Sequence, residues 1–491
     1  MLLANVLKDT KEIKKINFDN FNPLIKGIHF NSKKILRNFI FVAIKGEHDD
    51  GHKYINEALK NGAKLIVVEK KETINNLKKK KIKFIYTKNS RSFLSKISSN
   101  FFIYQPKFIS AVTGTNGKTS VSYITQELWK NCNINSASLG TLGLISNNFK
   151  KKLSLTTEDS INIYKILSNL SKKRINNICI EASSHGLKQH RIDNVKVDVA
   201  AITNISRDHF DYHKNFNNYF NSKMRLFLEI LKKNGTAIIN SDLKESKKII
   251  RICKKKKINI FTYGYNSKDL KLINFCEENN YKKVKISYKN KIYNYKLPII
   301  GDFQVFNSLC AISIALHSGV LINRCLKNIK KINQIPGRLE FIKIPKKIKK
   351  NISIFLDYAH TPDAIENVLK TLKRKKTDKL SIVFGCGGDR DKKKRPMMGE
   401  IANKFADKIY ITDDNPRNES ANKIRKEIIF KCPKALEIKN RYQAIKKCIS
   451  SCEDGEKVLI AGKGHEEYQI IKKKFYKFND KKAVLKVLKN L

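Results

Sequence analysis

The chain has 491 residues and a hydrophobic fraction of 41%, enough for about three packed domains. Its mean hydropathy of -0.44, and the absence of any apolar run near the roughly 18 residues that a bilayer span needs, argue against an integral membrane protein. A net charge of +56 admits a nucleic-acid binder, but the lysines fall in short runs throughout, as at 78–81 and 254–257, rather than in one stripe.

That spread is the pattern of compositional drift at solvated positions, although a positive field would still draw in acidic substrates. The apolar start at 1–7 meets Lys8 and Asp9 at once, too short for a secretory leader. Residues 1–107 carry short strand-like runs at 39–44 and 64–68 with helical stretches between them, a small α/β unit closing at Pro106. Residues 108–113 read as a buried strand, followed by a Gly-rich turn and a helix from about 118 to 130. Further apolar runs at 178–180, 197–205 and 236–239 alternate with helical stretches, the βαβ rhythm of a mostly parallel sheet covered on both faces. Past Pro336-Gly337, strands are expected at 352–356, 380–384, 409–412 and 458–461, a second doubly wound sheet. The lysine-rich stretch 346–350 reads as a loop or hairpin tip. Ten cysteines are scattered with no C-x-x-C pair, as in reduced thiols of a cytoplasmic enzyme.

The sharpest motif is Thr113-Gly114-Thr115-Asn116-Gly117-Lys118-Thr119-Ser120, lying between the expected strand and helix. Glycines let backbone N–H groups close around phosphate oxygens, and a helix N-terminus adds positive potential. Lys118 suits β/γ-phosphates and the Thr119 hydroxyl suits Mg²⁺. Val112 occupies the place of the first glycine of the strict pattern. The motif by itself says only that nucleotide phosphates are bound.

This loop resembles the ATP loop of the Mur ligases and folylpolyglutamate synthetases. Five further segments narrow the resemblance to the Mur ligase family: Glu181–Leu187 with Gln189-His190-Arg191, Thr203–His213, Asp357–Asp363 with Gly385–Arg390, Asp414-Asn415-Pro416-Arg417, and Gly462–Glu466. It runs from about 27 to 470 and implies three domains: a smaller N-terminal α/β domain at 1–107 binding a UDP-sugar, a central P-loop ATPase-like domain at 108–335, and a Rossmann-like domain at 336–491 binding an incoming amino acid. The implied reaction joins meso-2,6-diaminopimelate to UDP-N-acetylmuramoyl-L-alanyl-D-glutamate through an acyl phosphate, with ATP as co-substrate and Mg²⁺ as cofactor. Lysine addition on the same scaffold, folate polyglutamation, and a basic nucleic-acid binder with a vestigial ATP fold are the rival readings.

Residue by residue, the resemblance implies that Thr119, Glu181, His209 and a carbamoylated Lys223 hold metal, with Lys118, His209 and Lys223 catalytic. Asn307, Arg338 and Asp357 would join Gly114, Thr115, Asn116, Gly117, Lys118 and Thr119 around ATP. Phe30, where an aliphatic residue is expected, Ser32, Glu47, His48 and Asp49 would hold the uridine end. Thr156, Thr157, Ser183, Gln189 and Arg191 would hold the muramoyl peptide. Arg390, Asp414, Asn415, Pro416, Arg417, Gly462 and Glu466 would hold the diaminopimelate. Arg417 offers a planar fork to its far carboxylate, a group lysine lacks. No specific nucleic acid, no membrane insertion and a monomer in the cytoplasm complete the expectation.

Overall fold

The computed structural model describes residues 1–47, 49–278, 281–345, 348 and 350–491. Expected His48 and most of the expected loop at 346–350 lie outside these residues.

Three sheets carry the chain. The first orders its strands Ile13–Ile16, Phe84–Thr87, Ala63–Val68, Phe39–Val42 and Gly27–His29, parallel except at the first pair. The second has eleven strands. Its parallel heart runs Asn259–Gly264, Leu231–Asn240, Val197–Ile202, Phe108–Thr113, Asn177–Glu181 and Ser136–Gly140. Strand Phe108–Thr113 shows why it is buried on both sides: Ile109 and Ala111 enter one core while Val112 enters the other, the alternation a pleat imposes. Helices Lys118–Asn131 and Phe303–His317 cover the Val112 face, and Ser160–Lys172 and Phe216–Arg225 the opposite face.

Two differences from the sequence reading have local causes. The strand expected through 205 stops at Ile202, because Thr203 and Asn204 turn over the phosphate loop. Both donate to the Asn116 carbonyl, Thr203 Oγ1 at 2.6 Å and Asn204 Nδ2 at 2.9 Å. Residues 270–297 add three strands, Leu270–Glu278, Tyr281–Tyr288 and Lys291–Leu297, paired antiparallel to one another. Their alternation of lysine with aliphatic and aromatic residues is a half-buried antiparallel pattern.

The third sheet orders Glu340–Ile342, Ser353–Asp357, Lys457–Ala461, Leu380–Phe384, Lys408–Ile411 and Leu436–Glu437, antiparallel only at the first pair. A hairpin, Tyr468–Ile471 with Lys474–Lys477, follows it. The carboxyl ends of the second and third sheets open on one cleft, where open parallel sheets place their ligands. Asn116 Nδ2 donates to Asp363 Oδ2 at 2.8 Å and Arg207 Nε to Asp391 Oδ2 at 3.0 Å, tying the two walls together.

Candidate active site

The cleft encloses about 560 Å³. Its floor is the phosphate loop. Gly117 sits at φ 86°, and a Cβ there would fall 2.6 Å from Asn307 Oδ1, so only glycine fits against that side chain. Helix Lys118–Asn131 starts at the next residue and aims its N-terminus into the cleft. Lys118 Nζ donates to the Gly114 and Thr115 carbonyls, both at 2.8 Å, and burial lowers its pKa. Lys223 Nζ reaches the same Gly114 carbonyl at 2.7 Å from beneath. Burial, and then Lys118, hold the pKa of Lys223 well below that of an ordinary lysine.

Glu181 ends its strand almost fully buried. Its carboxylate accepts from Thr119 Oγ1 at 3.0 Å, Thr141 N at 2.9 Å and Thr141 Oγ1 at 3.0 Å. A buried carboxylate with neutral donors and an adjacent threonine hydroxyl is a hard oxygen set that suits Mg²⁺. Among the described residues no three His, Cys, Asp or Glu side chains converge on one point, so the nucleotide and water would supply the remaining ligands. His209 adopts φ 56° and holds Nε2 3.2 Å from Asp208 Oδ2. Burial lowers its pKa to about 3 against the pull of Asp208, which leaves a neutral imidazole. Burial would raise the carboxyl of Asp208, yet His209, Lys394, His360 and Lys118 hold it low. His185 lies 4.6 Å from the His209 ring and 4.1 Å from the Tyr212 ring; burial and then Arg390 lower it to about 4.

On the opposite wall, Arg338 Nη2 donates to Thr119 Oγ1 at 3.1 Å, and its guanidinium lies 4.6 Å over the Tyr358 ring. Asp357 accepts from Leu339 N and Ala359 N, both at 2.6 Å, so it shapes the turn that presents Arg338. Burial pushes its carboxyl up to about 6.

One flank is knit by Thr157. Its Oγ1 donates to the Glu181 carbonyl at 2.7 Å, and its own carbonyl accepts from Arg191 Nη1 at 2.5 Å. Ser183 N donates to Thr157 Oγ1 at 2.9 Å, and Thr156 Oγ1 lies 3.1 Å from Thr141 Oγ1. Gln189 stands just outside the cleft, its Oε1 accepting from Arg191 Nη2 at 2.7 Å and Arg91 Nη1 at 3.4 Å.

The far end is built from loops after strands of the third sheet. Arg417 has φ 50° and lies partly buried, its Nη1 donating to the Gly388 carbonyl at 2.9 Å. Burial, and then neighbouring Arg390, lower its pKa. A strained non-glycine backbone at a ligand-facing residue is a mark of functional sites. Arg390 Nη1 donates to the Asp389 carbonyl at 2.9 Å. Lys463, fully buried, donates to Glu466 Oε2 at 2.8 Å and Asn415 Oδ1 at 3.1 Å, and Asn415 Nδ2 donates to the same Glu466 oxygen at 2.9 Å. Burial would raise Asp414, but Lys463 and Arg441 keep it low.

The cleft thus gathers Thr115, Asn116, Gly117, Lys118, Thr119, Glu181, His209, Asn307, Arg338 and Asp357 with Thr156, Thr157, Ser183, Arg191, Arg390, Asp414, Asn415, Arg417, Gly462 and Glu466. Gly114, Lys223 and Pro416 lie directly behind its wall, as carbonyl acceptor, lysine under the loop and turn residue. The expected uridine residues do not line it. Ser32 is buried and donates to Glu57 Oε2 at 2.6 Å, Asp49 accepts from the Tyr54 hydroxyl at 2.9 Å, Phe30 packs on the core of the first sheet, and Glu47 is exposed. Sequence reasoning missed Thr141 and Lys394. The signal for Thr141 was a threonine between Gly140 and Gly143 just past a strand.

Models of the Mur ligase middle domain, the Mur ligase glutamate ligase domain and the Mur ligase family catalytic domain match residues 112–315, 337–464 and 24–102. UDP-N-acetylmuramoyl-L-alanyl-D-glutamate--2,6-diaminopimelate ligase of Rickettsia conorii is 40% identical over 474 residues, 95% of this chain and 96% of the relative. The chain belongs to the Mur ligase family. The same-named ligase of Rhizobium meliloti is 36% identical over 95% of both chains. A solved structure of a ligase of that name is 30% identical, with a TM-score of 0.67 over 97% of each chain. The Thermotoga maritima MurF ligase in complex with ADP shares the fold at 19% identity and a TM-score of 0.62, covering 94% of this chain and 97% of the other. As a Mur ligase, the chain is an ATP-dependent, ADP-forming enzyme that works with Mg²⁺. No helix among the described residues is long and apolar enough to cross a membrane.

Proposed function

We propose that this Mur ligase joins meso-2,6-diaminopimelate to UDP-N-acetylmuramoyl-L-alanyl-D-glutamate in peptidoglycan synthesis. The observation that carries the reading is one cleft with an anion-binding phosphate loop at one end and, at the other, Arg390 and Arg417 beside Glu466 and Asp414. Such an end offers cations to carboxylates and carboxylates to ammonium groups, as a zwitterionic diamino acid requires. The names of the relatives point to the same substrates.

In this reading the backbone of Gly114–Thr119, with Lys118, Asn307 and Arg338, orients ATP, while Asp357 sets the Arg338 turn. Thr156, Thr157, Ser183, Gln189 and Arg191 hold the dipeptide so that its free carboxylate meets the terminal phosphate. Residues 30–49 of the first sheet take the uridine end, outside the cleft itself. The carboxylate oxygen attacks the γ-phosphorus, ADP leaves, and the amine of the diamino acid displaces phosphate from the acyl carbon. Thr119 and Glu181 would hold Mg²⁺, which would supply charge neutralisation for the transferring phosphoryl group. Neutral His209 is available as a further ligand. Lys223 is the candidate for carbamoylation, since its depressed pKa supplies the neutral amine that CO₂ needs. Incubation with ¹³C-bicarbonate should then give a carbamate carbon resonance that a Lys223→Ala chain lacks.

Arg417 separates diaminopimelate from lysine. An arginine desolvated without its carboxylate costs on the order of 2–5 kcal/mol, or about 30- to 4,000-fold. Phosphate release should therefore depend on meso-diaminopimelate and proceed poorly with L-lysine; equal rates would sink the assignment. We divide the chain at 107/108 and 335/336 into nucleotide-sugar, ATP and amino-acid domains, and place it in the cytoplasm as a monomer without a specific nucleic-acid partner. All ten cysteines are free, which supports a reducing compartment.

A further inference from the structure

Lys394 opens the helix Lys394–Phe405 on the third-sheet side of the cleft. It is only 6% exposed, yet it lines the cavity. The other lysines and arginines lining the cleft have partners: Lys118 the carbonyls of Gly114 and Thr115, Arg191 that of Thr157, Arg338 the Thr119 hydroxyl, Arg390 and Arg417 the carbonyls of Asp389 and Gly388. Lys394 has no hydrogen-bond or ion-pair partner among the described residues. Its ammonium thus meets the cavity without a protein acceptor, where a ligand can supply one.

Its position says which ligand. Lys394 lines the cleft together with Asp208, His360 and Arg390, and three residues before it Asp391 accepts from Arg207 Nε at 3.0 Å across the two walls. Asp208 belongs to the metal-side segment with His209, and His360 opens the turn whose Asp363 grips Asn116 of the phosphate loop. Lys394 therefore stands at the seam between the phosphate end and the diamino-acid end. Resting on the ligase reading above, we propose that Lys394 is a further catalytic residue, its ammonium donating to the phosphoryl oxygens of the acyl phosphate and following them as phosphate is expelled.

In that step the amine nitrogen bonds to the acyl carbon. The carbon–oxygen bond to phosphate breaks, and its electron pair stays on the phosphate. The surplus proton of the nitrogen passes to the departing phosphate, directly or through water. Lys394 remains protonated and stabilises the charge that builds on the leaving oxygen.

The test compares Lys394→Met, Lys394→Gln and Lys394→Arg with the unaltered full chain, using ATP, Mg²⁺, the UDP-muramoyl dipeptide and meso-diaminopimelate. The expected result is a kcat about 10²- to 10³-fold lower for the Met and Gln variants, the range for loss of one preorganised oxyanion donor. KM values for ATP and diamino acid should stay within about threefold, Lys394→Arg should recover at least tenfold, and the melting temperature should be unchanged, since the ammonium gives up no protein partner. A KM for diaminopimelate raised about 30-fold or more at constant kcat would instead make Lys394 a holder of the amino-acid carboxylate and overturn the proposal. So would unchanged kinetics in all three variants, or a loss that tracks a fall in melting temperature. An unaltered chain that releases no phosphate with any diamino acid would overturn the ligase reading itself, a result distinct from these.

Discussion

The two ends of the cleft balance charge differently. At the phosphate end Lys118 and Lys223 converge on a single carbonyl, that of Gly114, and among the described residues neither pairs with a carboxylate. At the diamino-acid end the buried cations are already matched: Lys463 pairs with Glu466 at 2.8 Å and Arg441 with Asp480 at 2.8 Å. Among the described residues Arg390 and Arg417 have carbonyl partners there and no carboxylate. One end is thus poised for phosphate and the Mg²⁺ that Glu181 would hold beside it, the other for a molecule bearing both signs. The difference teaches where each end is fragile: loss of a cation at the first removes the ligand's counter-charge, whereas at the second it unbalances a network.

The sharpest break comes at Lys118. Lys118→Ala removes a preorganised donor from the transferring phosphoryl group and should lower kcat about 10³-fold, read as phosphate release at saturating substrates. A fall below tenfold would mean that the paired lysines are a structural brace for the loop. Next is Arg417→Ala, which should cut kcat/KM for meso-diaminopimelate about 100-fold, near 3 kcal/mol, while leaving L-lysine almost untouched. Equal losses for both amines would show that Arg417 holds the loop at Gly388 and does not select the substrate.

The phosphate end was legible in the sequence because its parts are contiguous. Six consecutive residues, Gly114 to Thr119, carry the turn, the charge and the hydroxyl, and a strand before and a helix after supply the context. The far end was legible only through resemblance, since Arg390, Arg417 and Glu466 come from three separate loops that no spacing rule connects. Thr141 and Lys394 escaped for the opposite reason. A threonine after a strand and a lysine among 100 basic residues carry no local mark, and only the tertiary approach of Thr141 to Glu181 and of Lys394 to the cleft gives them meaning. The strands at 270–297 were hidden because lysine-rich alternation reads as a solvated surface until its aliphatic side is seen to cover helix Phe303–His317.

Acid should separate the ends in another way. His213 is fully buried behind the phosphate end, with Nδ1 3.3 Å from Ser222 Oγ and no partner for Nε2 among the described residues. Burial, and then His185 and Lys188, lower its pKa to about 3, against 6.5 for the free side chain. The native state therefore binds fewer protons than the unfolded chain, so this contribution to stability is whole above about pH 6.5 and drains away as pH falls toward 3. Between pH 7 and pH 5 it amounts to roughly 2 kcal/mol. The urea midpoint should drop over that interval, and His213→Gln should flatten the drop. An equal pH dependence in the variant would place the acid sensitivity elsewhere.

The smallest effect tests how closely the metal-side carboxylate is cradled. A Cβ on Gly140 would fall 2.1 Å from Glu181 Oε1 and 2.4 Å from its Cγ, a contact that no rotation of the alanine methyl relieves. Glu181 would have to swing off Thr119 and Thr141, whose hydroxyls and N–H now fix it. Because partners that orient a ligand are worth about 10- to 100-fold in metal affinity, and the carboxylate itself survives, Gly140→Ala should raise the Mg²⁺ needed for half-maximal phosphate release about tenfold at saturating ATP. Diaminopimelate KM should not move, since the atoms an added Cβ meets are those of Glu181. If the Mg²⁺ requirement stayed put while the diamino-acid KM rose, the two ends would be coupled through the Glu181 strand, and the separation of a phosphate end from a zwitterion end would have to be given up.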